Sequence, residues 1–270
     1  VSELVGCEVM YGTDGKHDFN ENIGLEVGND KVQPCTWMFI SQKLRKDAVL
    51  PVAELKGGII EDEYGWIPRK DDPTGPWTKR DSNIYLHWGA GVYCKDVRDP
   101  LILAASQKEC WEKMKPEIIA LREAGFQVYL APKIGIRECR RIKGEHVLTM
   151  NDLQQGLMPD DKIADARYYI DAWGMKLTKI QKQVPPYGIP YRALIPVGVD
   201  GLLTAGRIIS GTHLAASSYR VQPICASIGE AAGTAAAITA MNKTSVRDID
   251  VKSLVRKLDG YGLFSGLKKK

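Results

Sequence analysis

The sequence predicts an α/β or α+β protein, and three observations carry that reading. β-Branched and aromatic runs at 32–40 and 84–88 have strand composition. A stretch opening at Asp99-Pro100 has helical periodicity, and an alanine-rich run follows Pro223. Strand, helix and strand alternate loosely along the chain, which favours a mixed architecture over an all-α or all-β one.

Taken in order, Leu4, Val5 and Val9 suggest a short helix within Val1–Met10, broken by Gly12 and Gly15. Residues 12–30 are polar and punctuated by glycine, as a loop is. The first strand should form after Pro34, and Ile84–Trp88 should form a second after the irregular, Gly- and Pro-rich region 56–80. Asp99 can accept hydrogen bonds from the free amides of a first helical turn, and Pro100 suits the first helical position. Trp111, Met114, Ile118 and Leu121 give that helix an apolar face, Pro116 is expected to kink or divide it, and Gly125 to end it. Phe126, Val128 and Leu130 alternate as a strand does. Leu202–Gly206 reads as a short strand, residues 223–238 as a closely packing helix, and 246–258 as a short helix docked by Leu254 and Leu258.

Composition excludes several classes of function. With 44% hydrophobic and 26% charged residues the chain is an ordinary soluble globular one. Its 37 basic and 33 acidic residues leave a net charge of only +4, too little and too interspersed to suggest a nucleic-acid partner. Lys268–Lys270 reads as a solvated tail. No run reaches the ~18 consecutive apolar residues of a membrane span, and Glu230 interrupts the alanine-rich stretch. The six cysteines lie far apart without C-x-x-C or Cys/His spacing, so no metal site is expected, and reduced thiols favour a cytoplasmic location.

Three segments can carry chemistry. Ala205-Gly206-Arg207 closes an apolar run, where glycine allows a ligand close to the backbone and Arg207 can meet a phosphate. Tyr219-Arg220-Val221-Gln222-Pro223 leads into the alanine-rich helix, whose unpaired amides favour negative charge. The arginines of Gly135-Ile136-Arg137-Glu138-Cys139-Arg140-Arg141 fit either a solvated, salt-bridged surface or a buried anion site.

These segments, with Ile189–Pro196, Gly201–Ser210, Thr212-His213, Gly229–Ala236 and Gly144–Thr149, stand in an order that resembles the FAD-dependent oxidoreductases of the glutathione-reductase-like, two-domain fold. The resemblance runs from about Val32 to Ala240. It implies a partial FAD/NAD(P)-binding-like domain plus a substrate domain with a mixed sheet and packed helices. The implied boundaries are 1–30 for a remnant of the cofactor domain, 31–188 for the substrate domain, 189–242 for the returning strand and helix, and 243–270 for the tail. It implies FAD as cofactor. Gly206 and Arg207 would then lie at its pyrophosphate, and Arg220, Gln222, Pro223 and Ile224 beside the flavin ring. His213, with Ser210 and Thr212, would lie close to the ring as an acid or base. Arg137 and Arg140 would face a small-molecule substrate or brace the domain junction.

Two departures shape the expectation. No G-x-G-x-x-G turn occurs in the 270 residues, and the chain opens on Val1, so it reads as the C-terminal part of a longer protein. On that reading the chain by itself binds FAD poorly, and a missing half or self-association covers its apolar face. Trp173 stands two residues after Asp171, where related proteins often carry histidine. The expected activity is hydride transfer from a small organic molecule, an alcohol or sugar-like polyol, to the flavin. The alternatives are a non-catalytic binding or assembly module and a hydrolase using Asp160 and Asp161.

Overall fold

The computed structural model describes residues 1–51, 55 and 84–261. The irregular region expected at 56–80 and the basic tail lie outside them. In chain order the elements are β1 (Val9–Met10), β2 (Cys35–Lys43), β3 (Ile84–Val92), α1 (Pro100–Glu123), β4 (Phe126–Leu130), β5 (Arg141–Ile142) and α2 (Met150–Gln155). There follow β6 (Lys162–Ala166), α3 (Lys179–Lys182), β7 (Tyr187–Pro190), α4 (His213–Tyr219), α5 (Gln222–Asn242) and α6 (Val251–Tyr261). Helices and small sheets coexist, as expected of the α/β or α+β class. Every strand pairing in the three sheets is antiparallel, including the sheet expected to be mixed.

The chain forms two compact units, one of Gln33–Arg137 and one of Val1–Val32 with Glu138–Lys270. Residues 138–188 therefore pack with the second of these and not, as the sequence reading had it, with the segment before them. The reason is pairing and burial: β6 pairs with β7, and Ile163, Ala164 and Ala166 share a core with Ile228, Ala231 and Leu254.

In the unit 33–137 the sheet has the order β3-β2-β4, and α1 packs on it. Asp99 caps α1, its carboxylate accepting from the amides of Leu101 and Ile102 at 2.8 and 3.2 Å. The helix runs unbroken through Pro116. Glu112, whose carbonyl the proline cannot satisfy, is exposed, so water replaces the lost bond. The buried stripe is Ser106, Cys110, Met114, Glu117, Ile118 and Leu121; Trp111 sits at its margin.

In the other unit the expected helix at 1–10 is a single turn, Glu3–Val5, closed by Gly6 at φ +90°, after which β1 pairs with β5. The loop 12–30 folds back on itself through Thr13 and Asn29. Gly12 permits this: its φ is +83°, and a Cβ there would stand 2.1 Å from the Asn29 carbonyl oxygen. Leu202–Gly206 is not a strand among the described residues. Ala205 is extended, but a strand also needs a laddered neighbour, and here Thr204 N donates singly to Leu194 O at 2.8 Å.

Helix α5 begins at Gln222 and buries Ile224, Ile228, Ala231, Ala232, Ala235 and Thr239. It is the one helix among the described residues long and apolar enough, with a mean hydropathy of 1.3, to cross a membrane by length and composition. A third of that window is buried in the protein, and Glu230 does not bring it below the threshold as the sequence reading supposed. Helix α6 docks through Leu254 and Leu258, both fully buried.

Candidate functional site

Helix α4 is buried at all seven of its positions, so its polar groups must be satisfied from within. Thr212 caps it, Oγ1 accepting from Ala215 N at 3.2 Å and donating to Glu21 Oε1 at 2.6 Å. Glu21 also accepts from Met150 N at 2.7 Å, so one carboxylate serves the first turns of α2 and α4. Burial pushes the Glu21 carboxyl above its usual range, against the pull of those two bonds. At the far end Tyr219 donates to Ile209 O at 3.1 Å and covers Gly211, where a Cβ would stand 2.7 Å from its ring.

His213 is the first residue of α4 and only 2% exposed. Its backbone amide donates to Asp14 Oδ2 at 2.6 Å, and its Nδ1 lies 3.0 and 2.8 Å from Glu138 Oε1 and Oε2. Arg141, 1% exposed, reaches Glu138 through Nη1 and, through Nη2, Gly12 O at 3.0 Å and both Asp14 oxygens at 3.1–3.2 Å. The bonds close a ring, Asp14–Arg141–Glu138–His213 and back to Asp14. Within the ring His213 Nε2 and Arg141 Nε are buried without a hydrogen-bond partner among the described residues, as is Ser210 Oγ elsewhere.

The sequence-nominated residues separate accordingly. His213 is in this buried ring, while Ser210 is fully buried beside it in sequence and bonded through its backbone to Ala193 and Leu148. Arg140 instead pairs with Glu3 at 2.6 Å and lines a cleft of about 430 Å³ with Leu4, Ile142 and Ile208, beside the Gly206-Arg207 turn. Arg137 belongs to the unit 33–137, where Nη1 donates to Pro34 O at 2.7 Å. Arg220 is held by Asp171 at 2.6 Å. Gly206 has φ +69°, and a Cβ there would meet only Cys225 Cβ, at 4.0 Å; Arg207 is exposed. Gln222 and Pro223 are exposed at the start of α5, which has no side-chain cap, while Ile224 is buried. Trp173 is half-buried.

Sequence reasoning missed Asp14, Glu21, Glu138 and Arg141. The last two lay in a quoted motif, but their spacing is that of a solvated, salt-bridged turn. Asp14 and Glu21 lay in a polar loop that carries no signal of burial. Asp161 pairs with Arg192 at 3.0 Å; burial pushes its carboxyl up, but the Arg192 bonds outweigh that and hold it below its usual range. It is a structural ion pair. Ser41, His87 and Glu117 form a second buried series in the unit 33–137, at 2.7 and 3.4 Å; like His213 and Ser210, none of its members lines either described cleft. A cleft of about 870 Å³ between Tyr168, Tyr169, Gln154, Arg167 and Ile180 holds none of the nominated residues.

A model of the FAD dependent oxidoreductase family matches residues 1–258. No curated protein and no solved structure matches the chain. The chain belongs to the FAD dependent oxidoreductase family. Of the residues that the family resemblance assigns to the cofactor, Gln222 stands at an exposed helix start without a side-chain cap and Gly206 in an open turn, which leaves both free of steric conflict with a ligand. The 270 residues do not include a glycine-rich phosphate turn.

Proposed function

We propose that this protein oxidises a neutral, hydroxyl-bearing small molecule, an alcohol or sugar-like polyol, with His213 as the proton acceptor. The observation that carries the reading is the imidazole itself. It is buried and held on one nitrogen by Glu138, and its other nitrogen is uncommitted. FAD, when bound, supplies the hydride acceptor, chemistry that no side chain provides. Turning C–OH into C=O also releases the hydroxyl proton, and on this reading His213 Nε2 takes it. Gly206, Arg207, Gln222, Pro223 and Ile224 would hold the cofactor, and the free amides at the start of α5 favour negative charge there.

The arginines support a neutral substrate. Arg140 is committed to Glu3, Arg141 to Glu138 and Asp14, Arg220 to Asp171, and Arg137 donates to a carbonyl. A site for carboxylate or phosphate would need an uncommitted guanidinium, and none of these four offers one.

The test is anaerobic bleaching of the ~450 nm flavin band of the FAD-loaded protein. Polyols should bleach it and 2-hydroxy acids should not, and His213→Gln should slow bleaching by about 10²–10⁴-fold. Bleaching by the acids alone, or at full rate in the variant, refutes the reading. The lack of a G-x-G-x-x-G turn favours a second reading, a binding or assembly module; protein that elutes colourless from gel filtration after excess FAD supports it.

A further inference from the structure

We infer that Glu138 is a positioning residue that holds His213 as its Nδ1–H tautomer and keeps Nε2 bare, with Arg141 and Asp14 fixing Glu138 in place. The inference deepens the proposed oxidoreductase reading and rests on it for the use to which Nε2 is put. A neutral imidazole has one donor nitrogen and one acceptor nitrogen, and the partner of one decides the state of the other. The Glu138 carboxylate is an acceptor on both oxygens, 3.0 and 2.8 Å from Nδ1. The proton must therefore lie on Nδ1, and Nε2 carries the lone pair.

The carboxylate is itself over-determined. Arg141 binds its Oε1, and the same guanidinium grips Asp14 and the Gly12 carbonyl. Asp14 in turn fixes the backbone of His213. The imidazole is thus anchored at both ends by one ring of bonds drawn from the loop 12–30, the approach to β5, and α4. Leaving such an atom buried without a partner costs about 1–3 kcal/mol; Arg141 Nε in the same ring also lacks one, and of the two Nε2 is the atom with a lone pair that the proposed reaction can use.

The substitution Glu138→Gln distinguishes the two roles. Arg141 requires an oxygen at the Oε1 position, so the amide nitrogen takes the Oε2 position, 2.8 Å from Nδ1. It donates to Nδ1, and the proton moves to Nε2. Glu138→Asp keeps an acceptor on both oxygens and keeps Nδ1–H. With four histidines in the chain, ¹⁵N-imidazole NMR at the alkaline end of the titration reads the tautomer without any flavin.

The expected result is Nδ1–H in the unmodified protein and in Glu138→Asp, with the two nitrogen signals exchanged in Glu138→Gln. In the FAD-loaded protein, Glu138→Gln should lose about 10²–10⁴-fold in flavin reduction with KM little changed, and Glu138→Asp should recover part of it. Nε2–H in the unmodified protein, or Nδ1–H retained in Glu138→Gln, overturns the inference. Full turnover in His213→Gln alongside the exchanged signals overturns the proton-acceptor reading alone and leaves the positioning of His213 standing.

Discussion

Replacing Arg141 by methionine should destabilise the protein more than any surface change, and the structure sets the size of the effect. The guanidinium is 1% exposed and is bonded to both Glu138 and Asp14, with His213 a further partner of each. Methionine roughly keeps the volume of the side chain, so little of the loss is cavity. What remains is one buried carboxylate, Glu138, and one half-buried, Asp14, without their guanidinium, a situation that costs about 3–5 kcal/mol. For a unit of this size that is a fall in Tm of about 5–20 °C. Thermal and urea unfolding followed by circular dichroism would measure it, repeated in a Glu138→Gln background. Because the amide in that background carries no charge to be stranded, the cost of Arg141→Met should shrink there by about 1–3 kcal/mol. A loss under about 1 kcal/mol, typical of exposed ion pairs, or an unchanged cost in the double variant, refutes the account of the ring as a buried charge network.

Glu21 should make stability fall with rising pH. Its folded carboxyl is raised by burial, so the native state holds the proton more tightly than the unfolded chain does. Its contribution is complete below the unfolded value of about 4.3 and is lost as pH climbs through the raised native value. Glu21→Gln keeps a carbonyl to accept from Met150 and Thr212 and should flatten that slope in pH-dependent urea midpoints; an unchanged slope counts against it. In the other unit, Glu117→Ala should cost about 1–3 kcal/mol by leaving His87 Nδ1 buried without a polar neighbour, whereas His87→Leu with Glu117→Leu should cost less. Equal losses from the single and paired changes in chemical denaturation would show that packing, not the polar pairing, holds this series.

Much of the backbone was legible because local rules decide it. Asp99, Pro100 and Gly125 bound α1 through groups within a few residues of one another, and Val128 against Gln127 shows the alternation of a paired strand. The start of α5 at Gln222 and the docking of Leu254 and Leu258 follow from helical propensity and spacing in the same way. Pro116 does not divide α1 because its local cost is set by whether the freed carbonyl can meet water, and that depends on which face of α1 is turned outward. Leu202–Gly206 failed as a strand because composition cannot supply the neighbour that a strand needs.

The site divides along the same line. His213, Ser210 and the Gly206 turn stood out because their residue types and order resemble one family, and the match over residues 1–258 places the chain in that family. By itself the sequence thus determined a mixed α/β or α+β class, the main helices and the family. Only the tertiary structure decided that Arg141 and Glu138 turn inward, that Asp14 and Glu21 arrive from a loop more than a hundred residues away, and that Arg140 and Arg220 are already paired. The reason is physical: a charge is ordinarily solvated, and whether it can be buried depends on counter-charges brought to it by the folding of distant segments.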